Sequence, residues 1–226
     1  AQRAVSSVSR AGIPVLTIVV GEEAGRQVGS TTPRAGEVGR IALQDLSPAV
    51  LRQRAVPAIL AALPDTQHLS LARQFPLFRP AVIGALVENT SRANAIYAAS
   101  TSLGQLIPVL NIPFVAADVI VLTKNQFTMA YKIALAAGKT GDPRSVMGEI
   151  VSVVGGGLIF RQIARELVGL IPVVGALPKI AVAYAGTRVI GTTVNAWANE
   201  NVRLSRDEMR GLDDEAIARG RALADR

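Results

Sequence analysis

The residues best suited to chemistry are polar side chains that interrupt apolar stretches of the chain. They comprise four amides, one carboxylate and two cations: Asn94, Asp118, Lys124, Asn125, Gln126, Arg188 and Asn195. A polar group buried without a partner costs a few kcal/mol, so each of these must be paired wherever it lies in a core. Asp118 with Arg188, or Asp118 with Lys124, are the candidate ion pairs. Such residues either fix the register of packed helices, handle an ion or a proton, or form an interaction surface.

The sequence lacks the motifs of the common enzyme classes. It has no cysteine and a single histidine, His68, which excludes disulfides, thiolate chemistry and a histidine cluster. It has neither a Gly-x-x-x-x-Gly-Lys-Ser/Thr phosphate loop nor a Gly-x-Gly-x-x-Gly fingerprint. We interpret His68 as a surface residue. We therefore name no catalytic residue, and we expect neither a cofactor nor a metal in this chain.

The composition indicates a helical protein with one strongly apolar part. Half of the 226 residues are hydrophobic, but only 4% are aromatic. The net charge of +7 permits contact with an anionic surface without requiring it, because the cations are spread along the chain. No base-reading motif or aromatic platform accompanies them, so we expect no specific nucleic-acid partner.

Two apolar segments carry most of the polar candidates. Residues 106–137 and 170–198 both begin Leu-Ile-Pro-Val and have a second proline five or six residues later, Pro113 and Pro178. Each then reaches a threonine–cation pair at the same offset. The similarity predicts an internally repeated helical hairpin broken by proline, and chance similarity is the alternative.

Neither apolar segment is a clean membrane span. Prolines and a charged residue, Asp118 in one and Lys179 in the other, interrupt both windows. A bundle that is soluble or attached to the membrane periphery is therefore favoured over an inserted one. The glycine triplet at 155–157 predicts either a break in a helix or a smooth face for close helix packing.

The first 65 residues predict a short β/α fragment. Residues 13–20 are apolar on both faces, which is typical of a buried strand in a parallel sheet. Residues 40–46 predict a second strand. Ser47 and Pro48 predict the start of a helix that is interrupted at Pro57. Two strands alone do not make a stable sheet, so this fragment needs partners.

The predicted fold class is mainly α, a helical bundle of repeated proline-broken hairpins with a short N-terminal β/α fragment. The chain is predicted to divide into three regions. Residues 1–65 form a remnant-like strand, loop, strand and helix segment. A helical hairpin domain follows at 66–204, and a charged C-terminal helix or tail at 205–226. Residues 65–92 are predicted to be a connector, because two X-Pro pairs bias the residue before each proline away from helix, although a helix from Ala81 could continue through Asn89 and Arg92. Ser205 and Glu208 predict a capping box.

Three stretches resemble the helical domain of unknown function 697: ARQFPLFRP, NAIYAASTSLGQLIPVLNIPFVAADVIVLTKNQFTMAYKIA and GGGLIFRQIARELVGLIPVVGALPKIAVAYAGTRVIGTTVNAWA. The resemblance covers about residues 69–204, and LTKNQ and GLIPVVG are its most specific parts. It implies an all-helical module tied to an Era-like GTPase, often at a membrane, with no established activity. The first 65 residues resemble the C-terminal end of a GTPase domain, although GEEAG stands where that family's guanine-specificity motif should follow the strand.

Pattern and resemblance together lead us to expect a non-catalytic, GTPase-associated helical module that binds a membrane or a protein partner. The alternatives are a soluble structural subunit of a larger assembly and the C-terminal part of a GTP-hydrolysing enzyme. The expected partners are a membrane surface or membrane protein, a GTPase domain in cis or in trans, and a second copy of the chain. The expected location is the cytoplasm, peripheral to the inner membrane or inserted in it.

Overall fold

The computed structural model describes residues 15–21, 23–29, 37–102, 111–154 and 176–224. They form two compact units that divide after Val82. This division falls later in the chain than the boundary predicted after residue 65. Helices dominate, with one small parallel sheet near the N-terminus, which confirms the prediction of a mainly α fold with a short β/α fragment.

The sheet of the first unit consists of β1 (Val15–Val20) and β2 (Glu37–Leu43), which pair in parallel. A short helix, α1 (Ala24–Gly29), lies between them in sequence. The second strand begins and ends three residues before the predicted 40–46. Its end is set by Asp45, whose side chain accepts a hydrogen bond from the Ser47 amide at 2.7 Å and so turns the chain.

The helix that follows the sheet begins where predicted and is interrupted before its proline. It runs as α2 (Pro48–Val50), a π-helical turn (Leu51–Ala55) and α3 (Val56–Ala62). Ser47 caps it, because its hydroxyl accepts a hydrogen bond from the Val50 amide at 3.4 Å. Pro57 has no amide hydrogen to offer the preceding turn, so the helix widens just before it.

The connector predicted over 65–92 is wrong before Ala81, where most of the segment is helical, whereas the helix allowed from Ala81 is present. Helix α4 (Asp65–Gln74) is followed by a 3₁₀ turn and then by the long α5 (Arg79–Ser102). Phe75, which precedes a proline, is extended as expected, but Arg79 has helical angles (φ −52°, ψ −50°). Pro80 lies in the first turn of α5, where a missing amide hydrogen leaves no helical bond unmade.

His68 is also placed differently from the sequence-based interpretation. It lies half-buried in α4, and its Nε2 is 2.9 Å from the Leu60 carbonyl oxygen and 3.1 Å from that of Leu63. Both oxygens are acceptors, so Nε2 carries the proton and donates to the end of α3. His68 is therefore a helix-capping residue and not a surface residue.

In the described part of the second unit, the rest of α5 is followed by α6 (Asn111–Ala136), α7 (Pro143–Val154), α8 (Ala176–Asn195) and α9 (Arg206–Ala224). A π-helical turn, Ala196–Glu200, extends α8 to Asn201, which has a positive φ of 55°. Local residues define two helix ends in this unit. Gly138 (φ 91°) follows α6, and Asp142 caps α7.

Helices α5, α6 and α8 pack around one another, and side-chain contacts fix their directions. Asn94 of α5 bonds to Asn125 of α6 and to Thr187 of α8, while Thr101, later in α5, bonds to Lys179, earlier in α8. Helix α5 is thus antiparallel to α8. Gln126 and Met129 of α6 contact residues of α8 in the same chain order, so α6 and α8 run parallel.

The charged C-terminal helix packs against α8. A Cβ atom on Gly220 would lie 2.9 Å from the Cα and carbonyl oxygen of Ala181, so only glycine permits this approach. Ser205 and Glu208 form the predicted capping box at its start, with hydrogen bonds of 2.7 and 3.3 Å. The close backbone approach makes α9 part of the bundle.

Several predictions fall on residues outside the described part of the chain. These are the start of each hairpin repeat, at 106–110 and 170–175, and the glycine triplet at 155–157. The internal repeat therefore stays a prediction. Of the helices that the structure describes, none combines the length and the hydropathy required to cross a membrane.

Candidate functional site

Four of the side chains between α5, α6 and α8 form a hydrogen-bonded set that we call the amide layer: Asn94, Asn125, Gln126 and Thr187. Asn94 donates from Nδ2 to the Thr187 hydroxyl at 2.8 Å and accepts on Oδ1 from Asn125 Nδ2 at 2.8 Å. Gln126 donates to the same hydroxyl at 3.2 Å. The hydroxyl in turn donates to the Ala183 carbonyl at 2.8 Å.

The amide layer brings together three predicted site residues, Asn94, Asn125 and Gln126. Asn94 and Thr187 are fully buried, and Gln126 is nearly so. Thr187 uses its donor and both acceptor positions, so the layer has few free groups with which to bind a ligand. Each helix contributes at least one member, and a shift of any helix by one residue would break the set. The layer therefore fixes helix register.

A second polar set, the charged cluster, links α5 and α8 one turn away: Glu88, Arg92, Tyr184 and Arg188. One carboxylate oxygen of Glu88 accepts from Arg92 Nε at 2.6 Å. The other accepts from the Tyr184 hydroxyl at 2.8 Å and from Arg188 Nη1 at 3.0 Å. Arg188, a predicted site residue, thus pairs with Glu88, a partner that the sequence analysis did not name.

The charged cluster shifts two pKa values in opposite directions. Partial burial alone would raise the pKa of Glu88, but hydrogen bonds from Arg92 and Tyr184 and the positive charges of Arg92 and Arg188 together hold it below its usual value. Burial, followed by the hydrogen bond to Glu88 and its negative charge, raises the pKa of Tyr184. The carboxylate is therefore ionised and the phenol neutral at pH 7, an arrangement typical of a structural ion cluster.

The remaining predicted site residues lie apart from these two sets. Asn195 is half-buried on α8 and accepts a hydrogen bond from Asn199 at 2.7 Å. Lys124 is exposed on α6, beside the amide layer in sequence but directed away from it. The side chain of Asp118 lies outside the described residues, so its proposed pairing stays a prediction.

The outward side of the α5–α6 hairpin carries a different kind of surface, which we call the outer face: Ile96, Ile120, Lys124 and Lys132. Ile96 is 68% exposed and Ile120 is 69% exposed, the highest values among the large hydrophobic residues that the structure describes. Ile96 follows Asn94 by two positions, about 200° around α5, and so points away from the amide layer. Ile120, Lys124 and Lys132 recur at multiples of four residues along α6, and all are exposed.

The two lysines of the outer face have no described anionic partner. No carboxylate in the described ranges lies within 4.0 Å of Lys124 or Lys132, whereas Arg92 and Arg188 on the neighbouring surfaces are paired with Glu88. Both isoleucines lie in the halves of their helices nearest the connecting segment 103–110, whose sequence LGQLIPVL is itself apolar. Exposed aliphatic and cationic groups therefore occur on both helices of the hairpin.

The first unit has a cleft of about 330 Å³ at the carboxyl ends of β1 and β2. Its polar side chains are those of Gln44, Gln53 and Arg54. These groups donate hydrogen bonds, but the described residues that line the cleft include no carboxylate, imidazole or hydroxyl. The residues that the structure describes include no group of three or more acidic or histidine side chains that could bind a metal ion.

Sequence reasoning missed four members of the two polar sets: Glu88, Arg92, Tyr184 and Thr187. Glu88 precedes Arg92 by four positions, which is the spacing of a helical ion pair and the signal that could have found it. Thr187 was identified in the sequence only as the threonine of the threonine–cation pair in the second repeat. Comparison of the chain with protein-family models, curated proteins and solved structures finds no match. The resemblance to the domain of unknown function 697 therefore depends on the quoted residues alone.

Proposed function

We propose that this chain is a non-catalytic, GTPase-associated helical adaptor that binds an anionic membrane surface through its outer face. The observation that supports this most is the contrast between the two sides of the α5–α6 hairpin. On the inner side, the polar groups of the amide layer bond to one another. On the outer side, two exposed isoleucines and two unpaired lysines have no partner among the described residues.

The chemistry of the outer face suits a lipid surface better than bulk water. Each lysine near an anionic bilayer contributes roughly 1 kcal/mol of attraction. Each isoleucine that leaves water contributes about 1.5–3 kcal/mol. Together, these attractions predict weak, reversible membrane binding that decreases as the salt concentration rises. Such binding is typical of a peripheral protein with one contact face.

Flotation with phosphatidylcholine vesicles, with and without phosphatidylglycerol, tests the proposal. We expect the chain to float with the anionic vesicles at low salt and to be released at high salt. The double variant Lys124→Gln/Lys132→Gln should lose most of this binding, and Ile96→Ser/Ile120→Ser should lose it at every salt concentration. Recovery of the unmodified chain in the soluble fraction with both vesicle types would contradict membrane binding.

A matched control separates the site from the net charge. Arg52 and Arg54 are exposed in the first unit, and Arg52→Gln/Arg54→Gln removes the same two charges as the lysine pair. We expect this control to bind anionic vesicles nearly as well as the unmodified chain. Equal losses in the two double variants would assign the attraction to net charge and not to the outer face.

The GTPase association comes from the resemblance and has its own test. Because this chain has no phosphate loop and has GEEAG after β1, we expect no saturable change when a fluorescent GTP analogue is titrated into the pure chain. Saturable, magnesium-dependent binding would favour the alternative of a GTP-hydrolysing enzyme.

A further inference from the structure

One stripe of α6 holds the charged part of the outer face. Ile120, Lys124, Thr128 and Lys132 follow one another at intervals of four residues, and all four are exposed. Residues 121–136 include no aspartate or glutamate, so no carboxylate stands three or four positions from either lysine. The helix therefore does not neutralise these two positive charges with its own side chains.

The two lysines of the stripe differ from the other two lysines of the chain. The ammonium group of Lys139 lies 4.5 Å from the centre of the single tryptophan ring, and Lys179 donates to the Thr101 hydroxyl at 2.9 Å. Those two lysines thus have partners inside the second unit. Lys124 and Lys132 have no hydrogen bond, ion pair or ring contact with any described residue. Their charge is available to a group outside the chain.

The residue between these two lysines leaves room for such a group. Thr128 has a short side chain, and its hydroxyl donates to the Lys124 carbonyl oxygen at 2.9 Å, which holds it against the helix. At a rise of about 1.5 Å per residue, the Cα atom of each lysine lies about 6 Å along the axis from that of Thr128. The four-carbon stem of lysine is flexible, so both ammonium groups can bend over Thr128.

We propose that the outer face binds a lipid with a phosphomonoester headgroup, whose phosphate lies over Thr128 between Lys124 and Lys132. A phosphomonoester carries about −1.5 to −2 charges at pH 7, whereas a phosphodiester carries about −1. Two ammonium groups repel each other unless the group between them neutralises both, so the dianion complements the pair. Ile120, exposed one turn from Lys124, favours a lipid over a soluble phosphate, because its side chain leaves water when it meets the acyl chains. This inference rests on the proposed membrane binding and names its lipid.

Flotation with two sets of vesicles of equal surface charge tests the lipid class. One set contains phosphatidic acid, and the other contains enough phosphatidylglycerol to give the same electrophoretic mobility. We expect at least about threefold tighter binding to the phosphatidic acid vesicles, because one headgroup then engages both lysines. Equal binding to the two sets would overturn this inference and leave the proposed membrane binding intact. Binding to neither set would contradict both.

Substitutions at Thr128 test the position of the phosphate. Thr128→Glu places a carboxylate between the lysines and should abolish the preference, whereas Thr128→Ala keeps the space and should retain it. Asn89→Glu adds the same charge at an exposed position of α5 and should also retain the preference. An unchanged preference in Thr128→Glu, or equal losses in the two glutamate variants, would overturn the proposed site.

Competition with glycerol 3-phosphate separates a lipid headgroup from a soluble phosphomonoester. We expect release of the chain from phosphatidic acid vesicles only at a large excess of the competitor, because glycerol 3-phosphate lacks the acyl chains that Ile120 would meet. Release at a concentration equal to that of the lipid would overturn the assignment of the site to a lipid.

Discussion

Two threonines of α8, six residues apart, lie in opposite surroundings. Thr187 and Thr193 are both fully buried. Thr187 belongs to the amide layer, where its hydroxyl accepts two hydrogen bonds and donates one. The Thr193 hydroxyl has no hydrogen-bond partner among the described residues. The same residue type in the same helix therefore stabilises the bundle at one position and is expected to weaken it at the other.

Gly191 lies between these two positions and marks where the bundle is tightest. A Cβ atom on this residue would lie 2.6 and 3.0 Å from the methyl carbons of Val87 and 3.2 Å from Cε of Met129. Helices α5 and α6 therefore both pack closely against α8 at Gly191. Paired polar groups at Thr187 thus fix the register of the three helices. The absence of a side chain at Gly191 fixes the distance between them.

The largest expected effect comes from Thr187→Val, which keeps the shape and removes the hydroxyl. It leaves the side-chain donors of Asn94 and Gln126 without their buried acceptor. We expect a loss of about 2–4 kcal/mol in the free energy of unfolding, because each buried donor left without an acceptor costs about 1–3 kcal/mol. Urea denaturation measures this loss. A loss below about 0.5 kcal/mol would mean that the amide layer does not hold the helices together.

Gly191→Ala should destabilise the bundle by about 1–2 kcal/mol. The added methyl group clashes with Val87, which is β-branched and stiff, and this outweighs the roughly 1 kcal/mol that alanine gains in helix propensity. Gly211→Ala is the matched control, since nothing lies within 4 Å of that position in α9. We expect the control to stabilise the protein. Adding Val87→Ala to Gly191→Ala should recover part of the loss, and equal effects at the two glycines would contradict the close approach.

Thr193→Val is expected to stabilise the protein by about 1 kcal/mol, with the opposite sign to Thr187→Val. The substitution keeps the branched shape and the helix propensity, and it removes a buried hydroxyl that has no partner. Thermal unfolding followed by circular dichroism measures both variants under the same conditions. If the two valine variants changed the melting temperature in the same direction, the difference in hydrogen bonding would not be what separates the two sites.

Sequence alone could predict the local features of this fold. The caps at Ser47, Asp142 and Ser205, the stop at Gly138 and the interruption at Pro57 each depend on residues within one helical turn, so short motifs identify them. The earlier start of α5, at Arg79, has a local cause too. An X-Pro pair disfavours helix at the residue before the proline, but the first turn of a helix tolerates proline.

The candidate site was only partly predictable, because its contacts join residues far apart in the chain. Asn94, Asn125 and Gln126 could be recognised as polar residues in apolar helices. Their common partner Thr187 could not be separated from Thr193 by composition or periodicity. Which threonine is paired depends on how α5 and α6 are oriented against α8, and this is a property of the packed bundle. The pairing of Arg188 with Glu88 depends on the same packing.

The smallest expected effect concerns the charged cluster, which is half-exposed where the amide layer is buried. The pKa of Glu88 is held below its ordinary value of 4.5, so its ionised form stabilises the fold above that pH. This contribution is lost as the pH falls through the lower pKa of the folded state. We expect Glu88→Gln to cost less than about 1 kcal/mol at pH 7, because partly exposed ion pairs are screened by solvent.

The pH dependence distinguishes Glu88 from a residue that acts by packing alone. The difference in stability between the unmodified chain and Glu88→Gln should shrink as the pH falls below 4.5, because a protonated carboxyl and an amide interact similarly with Arg92 and Arg188. Glu215→Gln is the control, since Glu215 pairs with Arg219 on the exposed side of α9 and should show a smaller difference at every pH. Thr187→Val should show a loss that hardly changes over the same range, since none of its partners titrates there. If the stability difference between the unmodified chain and Glu88→Gln stayed constant with pH, the charged cluster would act as the amide layer does. Its contribution would then come from shape and hydrogen bonds and not from charge.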